Sequence, residues 1–242
     1  MTLQVPNTHW RAIGAYVPNN ASKAGLLDET RQFLLTYAQF SDLTETRRAL
    51  IQGGLPQRAR ETRITIVEVI QRRLMRWNPP SWVCDDLVTF AKDSYQSSLP
   101  TALLLHVVRQ DRLLYDFVQQ IVIPRWQSGD HTLVRADVQR FLDQSQSAHP
   151  EIGSWSHATR EKLAGNVLSI LRDYGLLRGR EHKTIIEPVV PSMVIAHLRR
   201  LLHAEGFAGE ILVTHPDWLI WLWDTRRVRS AVESILSQET AV

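Results

Sequence analysis

Nine histidines (His9, His106, His131, His149, His157, His182, His197, His203, His215), one cysteine and the pair Asp85-Asp86 are the residues best suited to metal or acid–base chemistry. Their spacing supplies none of the usual arrangements. No two histidines stand four apart with a glutamate between them, and there is no Cys–His set, so no metal site is expected. His106, inside TALLLHVV, reads as a core histidine with a local partner. Cys84 lies beside two aspartates, which raise a thiol pKa and keep the sulfur inert. A G-x-S-x-G elbow, a Walker-type loop and a G-x-G-x-x-G turn are all missing. No catalytic residue and no cofactor are expected, and the chain reads as non-enzymatic.

The second chemistry is anion binding. Between Leu55 and Trp77 lie Arg58, Arg60, Arg63, Arg72, Arg73 and Arg76, against Glu61 and Glu68. That segment is +4 in a chain whose total is +3. Such concentration points to a polyanion bound at one place. Arg58 and Arg60 fall where a helix should begin. There they oppose the macrodipole, at a cost of roughly 0.3–1 kcal/mol each relative to an acid. An anion at that end would gain from both the arginines and the free N–H groups. A second basic unit spans 156–183, with six cations (Arg160, Lys162, Arg172, Arg178, Arg180, Lys183) against three acids. His157, Thr159, Arg160, Lys162 and Asn166 lie away from its apolar stripe and are types that reach phosphates or base edges.

The elements that must position these residues are helical. Leu26, Leu27, Thr30, Phe33, Leu34 and Tyr37 recur at helical spacing after Ser22, a suitable N-cap. Asp42 caps a short helix, Leu43–Gln52, stopped by Gly53-Gly54. Pro56 then stands near the first turn of a helix with the stripe Ile66, Val67, Ile70, Leu74, Trp77. The result is helix, turn, helix. Ser81 caps a helix to about Ala91, and two buried helices follow at about 101–110 and 111–123, the second closed by Pro124. Gln127-Ser128-Gly129-Asp130 divides an N-terminal lobe, residues 1–127, from a C-terminal lobe, 128–242.

The second lobe opens with a helix over 135–145. A turn-rich link then leads to a helix capped by Ser154 or Ser156, with the stripe Leu163, Val167, Ile170, Leu171, Tyr174. Residues 176–188 read as a short basic hairpin, giving the order of a winged helix. Helices over 192–205, 217–223 and 226–236 and a short strand at Glu210–Thr214 complete the chain. The fold class expected is all-α. The eight tryptophans read mainly as core.

Hydrophobic content of 44% with 22% charged residues is ordinary for a globular protein. No apolar run approaches the roughly 18–20 residues of a membrane span, and the first residues lack a secretory pattern. A single cysteine excludes an intrachain disulfide and fits a reducing compartment. A cytoplasmic protein is expected.

Five stretches, in this order and spacing, resemble the BrxA family of bacteriophage-exclusion (BREX) defence systems. They are GLLDETRQFLLTYAQF, LPQRARETRITIVEVIQRRL, LLLHVVRQDRLLYDFVQQIVIP, HPEIGSWSHATREKLAGNVLSILRDYGLL and HPDWLIWLWD, within about residues 22–225. The resemblance implies an all-α, non-enzymatic component, similar to the NusB-like RNA antitermination fold, that carries helix-turn-helix elements and binds double-stranded DNA. Other BREX proteins are the implied partners. On this reading Arg58, Arg60 and Arg63 clamp phosphates, and His157, Thr159, Arg160, Lys162 and Asn166 face a groove. Arg178, Arg180 and Lys183 form a wing on the backbone. An RNA-binding module and a pure protein scaffold are the alternatives; a monomer is expected in isolation.

Overall fold

The computed structural model describes residues 10–93 and 97–240, with side chains to Ser237. The fold is mainly helical. In the first half run α1 (Leu27–Phe40), α2 (Leu43–Ala49), α3 (Arg60–Leu74), α4 (Ser81–Lys92), α5 (Ser98–Arg109), α6 (Arg112–Phe117) and α7 (Ile123–Ser128). Then follow β1 (Thr132–Leu133), α8 (Arg135–Ser145), α9 (His157–Asp173), β2 (Leu177–Arg178), β3 (Lys183–Ile185), α10 (Ser192–Ala204), α11 (Gly209–Val213) and α12 (Thr225–Thr240).

Helix α5 is the axis. Every residue from Thr101 to Arg109 is buried, and α3, α4, α6, α10 and the 3₁₀ turn Pro216–Trp221 pack round it. A helix apolar on all sides needs such a jacket. Trp218 and Trp221 are fully buried in that turn, and their indole N–H groups donate to Leu212 O (2.8 Å) and Thr101 O (3.2 Å). The division expected at 127/128 falls in the last turn of α7, and buried residues on both sides belong to one cluster.

Several boundaries differ from expectation, each for a local reason. Helix α1 begins at Leu27, because the carbonyls of Lys23, Ala24 and Gly25 are taken by the buried Arg73 guanidinium. Those carbonyls would otherwise accept helical N–H groups, and Leu26 turns left-handed instead (φ 58°). Ser22 bonds back to Asn19 and caps nothing. Asp42 does cap α2, accepting from Glu45 N at 2.8 Å, and a π-turn over Leu50–Gly54 follows. Pro56 lies outside α3, whose first residue is Arg60. Pro124 does not close its helix. A π-turn over Val118–Val122 absorbs the missing N–H, α7 continues, and Gly129 (φ 79°) ends it. Glu210–Thr214 is helical, not a strand: Thr214 N bonds Glu210 O at 2.9 Å. The one sheet among the described residues lies elsewhere, so a strand there would leave its backbone groups unpaired, whereas a helical turn pairs them internally. Asp217–Trp223, expected as a helix, is a 3₁₀ turn over Pro216–Trp221.

The lead-in over 10–26 holds one 3₁₀ turn, Asn19–Ala21, and it ties distant elements together. Arg11 joins Glu205 and Asp217, Tyr16 OH donates to Asp116 (2.8 Å), and Asn20 donates to Asp111 (2.8 Å). Asn20 also accepts from Arg73 and, through its carbonyl, from Asn166.

His106 is a core histidine, 1% exposed, but its partner is not local. Its Nε2 meets Nε2 of His197 on α10 at 2.9 Å, and His197 Nδ1 meets Asp86 Oδ2 at 2.7 Å. With Asp86 accepting, His197 carries its proton on Nδ1 and accepts from His106. A further proton on His197 would set two N–H groups against each other. Burial holds His106 well below its usual pKa, with His197 and Arg109 adding to the effect. It also lowers His197, against the pull of Asp86, and brings His215 down to about 4. All three histidines are depressed in the folded state. As pH falls from about 6.5 towards 4, the unfolded chain takes up protons the folded chain refuses, and stability drops. Asp111, raised to about 6 by burial, and Glu205, also raised by burial, act the other way, gaining stability as pH falls. Three groups outweigh two. Melting temperature should fall between pH 7 and pH 5, and His215→Gln should flatten the slope; a temperature independent of pH over that range contradicts the assignment.

Candidate nucleic-acid interface

The basic unit of the second half is built on a small sheet. Strands pair antiparallel in the order β1-β3-β2, with Thr132 opposite Thr184, Leu133 opposite Lys183, Leu177 opposite Ile185 and Arg178 opposite Thr184. The hairpin β2–β3 was legible in the sequence. Strand β1, two residues long, was not, since nothing that short has a period. Helix α8 packs on α9, and α9 feeds directly into β2. The link between the two helices, residues 146–156, is longer than the 3–4-residue turn of a tight helix-turn-helix. Ser156 caps α9, accepting from Thr159 N at 3.2 Å. Leu163, Ala164, Val167, Leu168, Ile170 and Leu171 form its buried face.

The hairpin tip is Arg178-Gly179-Arg180-Glu181-His182. Gly179 has φ +102°, and a Cβ there would collide with the His182 carbonyl, so only glycine permits this tight return. Arg178, Arg180 and His182 are exposed. Lys183 is not available to a ligand: it is 7% exposed, and its Nζ donates to Arg180 O at 2.6 Å. Burial, with Arg172 and Arg135 nearby, lowers its pKa. Lys183 therefore shapes the tip from beneath. That corrects its expected place as a backbone contact.

The remaining candidates divide in the same way. On α9, His157 and Lys162 are exposed and make no ion pair among the described residues. Thr159 is half-buried and bonded to Ser156, and Arg160 is paired with Asp143 of α8. Asn166 donates to Asn20 O at 2.8 Å, so its amide holds the lead-in and does not face a groove. At α3, Arg58 and Arg60 are exposed, and Ala59 at the N-cap offers no side-chain acceptor to the free N–H groups. Arg63 folds back to Ile51 O (2.7 Å), Gln57 O (2.6 Å) and Arg58 O (2.9 Å). Its Nε and Nη1 lock the preceding loop, which corrects its expected role as a phosphate clamp. Arg73 is wholly internal and Arg72 donates to Asn19 O. Much of the +4 segment is thus spent on internal carbonyls. Helical spacing held the signal for Arg73, which follows Ile66 and Ile70 by seven and three residues along the buried stripe.

Sequence reasoning passed over Arg135, the first residue of α8. Its guanidinium lies against Gly165 of α9, 3.8 Å from Glu161, with its side chain still 62% exposed. Together with Arg172 and Lys183 it carries positive charge from α8 across to the sheet.

Cys84 is buried, and burial raises its thiol to about 11, with Asp85 contributing. Asp86, expected to act beside it, is turned to His197 instead.

A model of the BrxA family matches residues 16–201. A "BREX protein BrxA" of Bacillus cereus (strain H3081.97) is 28% identical over 112 residues, which cover 46% of this chain and 55% of that relative. The chain therefore spans about half the length of the curated relative it matches. A crystal structure of an uncharacterized protein from Magnetospirillum magneticum superposes with a TM-score of 0.65 at 19% identity, covering 79% of this chain and 96% of that one. At that identity the likeness is one of fold.

Proposed function

The chain belongs to the BrxA family, and from that premise we propose that it is a non-catalytic component of a BREX phage-defence system that binds double-stranded DNA. Helices α8 and α9 with the β2–β3 hairpin, in the C-terminal lobe 128–242, are read as a winged helix, with α9 towards the groove and the hairpin on the phosphate backbone. The observation that carries this reading is the hairpin tip. Two arginines, Arg178 and Arg180, stand exposed on a turn that Gly179 and the buried Lys183 hold in one shape. Lys162 and His157 extend the cationic surface along α9, and Arg58 and Arg60 at the uncapped start of α3 form a second contact. On this reading these side chains contact the phosphate backbone, so binding is weakly sequence-specific. Other BREX proteins are the proposed partners, and the protein acts in the cytoplasm as a monomer until it meets them. No helix among the described residues is long and apolar enough to cross a membrane.

Fluorescence anisotropy with a random-sequence duplex over rising salt is the test. If Arg58, Arg60, Lys162, Arg178 and Arg180 each displace one counterion, log K should fall with log salt at a slope of about −4.5. Binding that ignores salt refutes the phosphate reading, and preference for single-stranded RNA over duplex would favour the antitermination-like alternative.

A further inference from the structure

A second feature lies away from the basic units and does not depend on them. Helices α4, α10, α11 and α12 enclose a cavity of ≈ 910 Å³, at the upper end of the range for small-molecule sites. Its apolar wall includes Phe90, Ala196, Leu212, Val213 and Val232. His197 stands in the same wall, with both ring nitrogens already committed to Asp86 and His106, so the wall exposes no unmet polar group there.

The charges at the rim are unequal in their commitments. Asp86 is held by His197, and Glu210 accepts from Arg229 at 2.8 Å with Glu233 also close to Arg229. Among the described residues Arg200 has no carboxylate partner. Its guanidinium lies 4.2 Å from the Trp82 ring centre, stacked so that its N–H groups remain for a ligand. His203, three residues on along α10, is exposed on the same rim. Glu210 and Glu233 face Arg229, Asp86 is hydrogen-bonded to a neutral His197, and Arg200 is stacked on an aromatic face, so it is at the Arg200 corner that negative charge is favoured.

We infer that this cavity binds a small amphipathic monoanion, with its flat apolar body against Phe90, Ala196 and Val232 and its acidic group at Arg200 and His203. The ligand class is an aromatic body carrying one sulfonate or carboxylate.

Two dyes of nearly the same shape test it on the full chain: 8-anilino-1-naphthalenesulfonate, which is anionic, and N-phenyl-1-naphthylamine, which is neutral. Fluorescence titration should saturate at one anionic dye per chain, with about tenfold or greater preference over the neutral dye, the effect of a charge-assisted contact. Arg200→Glu should erase that preference while leaving the neutral dye bound. Ala196→Trp, which fills the cavity, should abolish both. Equal affinity for the two dyes, an anionic preference that survives Arg200→Glu, or full binding to folded Ala196→Trp each overturns the inference. Should circular dichroism show Ala196→Trp unfolded, the Arg200→Glu comparison decides alone.

Discussion

Arg109→Ala is expected to destabilise the protein by about 3–5 kcal/mol, the range found when one partner of a buried ion pair is removed. The Arg109 side chain is 1% exposed; it meets Asp217 at 2.5 Å and also pairs with Glu205. Both carboxylates are as deeply buried, at 0% and 1%. Arg11 reaches the same two, at 2.8 Å and 3.2 Å, from the lead-in. Two cations thus balance two anions in a site that water reaches only along Arg11. Burial pushes Asp217 up, but Arg109 and Arg11 outweigh it and hold the carboxyl below its usual range. For Glu205 burial wins, and the group sits above its usual range even with both arginines beside it. The site is therefore only just balanced, and losing Arg109 leaves two buried carboxylates facing one half-exposed cation. At about 2–4 °C per kcal/mol for a chain of this size, the melting temperature should drop by roughly 10 °C. Arg11→Ala should cost less, because its side chain is 21% exposed and water can replace part of what it supplies. Denaturant melts of the two variants check both statements. A loss within about 1 kcal/mol for Arg109→Ala would mean that the network is not a stability element.

The double variant Arg178→Glu/Arg180→Glu is expected to do the reverse: leave the fold intact and weaken duplex binding. Both side chains are exposed at the hairpin tip, where substitutions usually change stability by no more than about 0.5 kcal/mol. Loss of two phosphate contacts should flatten the salt slope by about 1.8. Affinity near 0.1 M salt should fall by at least about tenfold, since each charge-assisted bond is worth roughly 1.5–3 kcal/mol and repulsion replaces it. Lys183→Ala makes the useful contrast. Its ammonium holds the Arg180 carbonyl from inside the turn, so the melting temperature should move along with the affinity. Unaltered affinity and slope in the double variant would remove the hairpin from the interface.

Most of the helical order, the cap at Asp42, a cap at Ser154 or Ser156 (the fold uses Ser156), the hairpin and the family were legible in the amino-acid sequence. Each depends on neighbours within a few residues: an apolar stripe repeats every three or four positions, and a cap bonds an N–H three residues away. What each cation does was far less legible. Arg58, Arg63 and Arg73 lie within sixteen residues, yet one is exposed, one closes its own loop, and one is buried among carbonyls nearly fifty residues away. Asn166 and Lys183 likewise face inward although their neighbours are polar. His106 found its partner in His197, across 91 positions of chain. A donor satisfies itself with whichever acceptor the fold carries to it: the segment over 10–26 supplies those of Arg73 and Asn166, the packing of α10 on α5 that of His106, and nearby loops those of Arg63 and Lys183. The sequence by itself determined most of the helical segments, Glu210–Thr214 and Asp217–Trp223 apart, and where positive charge could gather. Tertiary structure decided which of those charges face water, because that depends on where the folded chain, loop or distant segment, places free carbonyls and carboxylates.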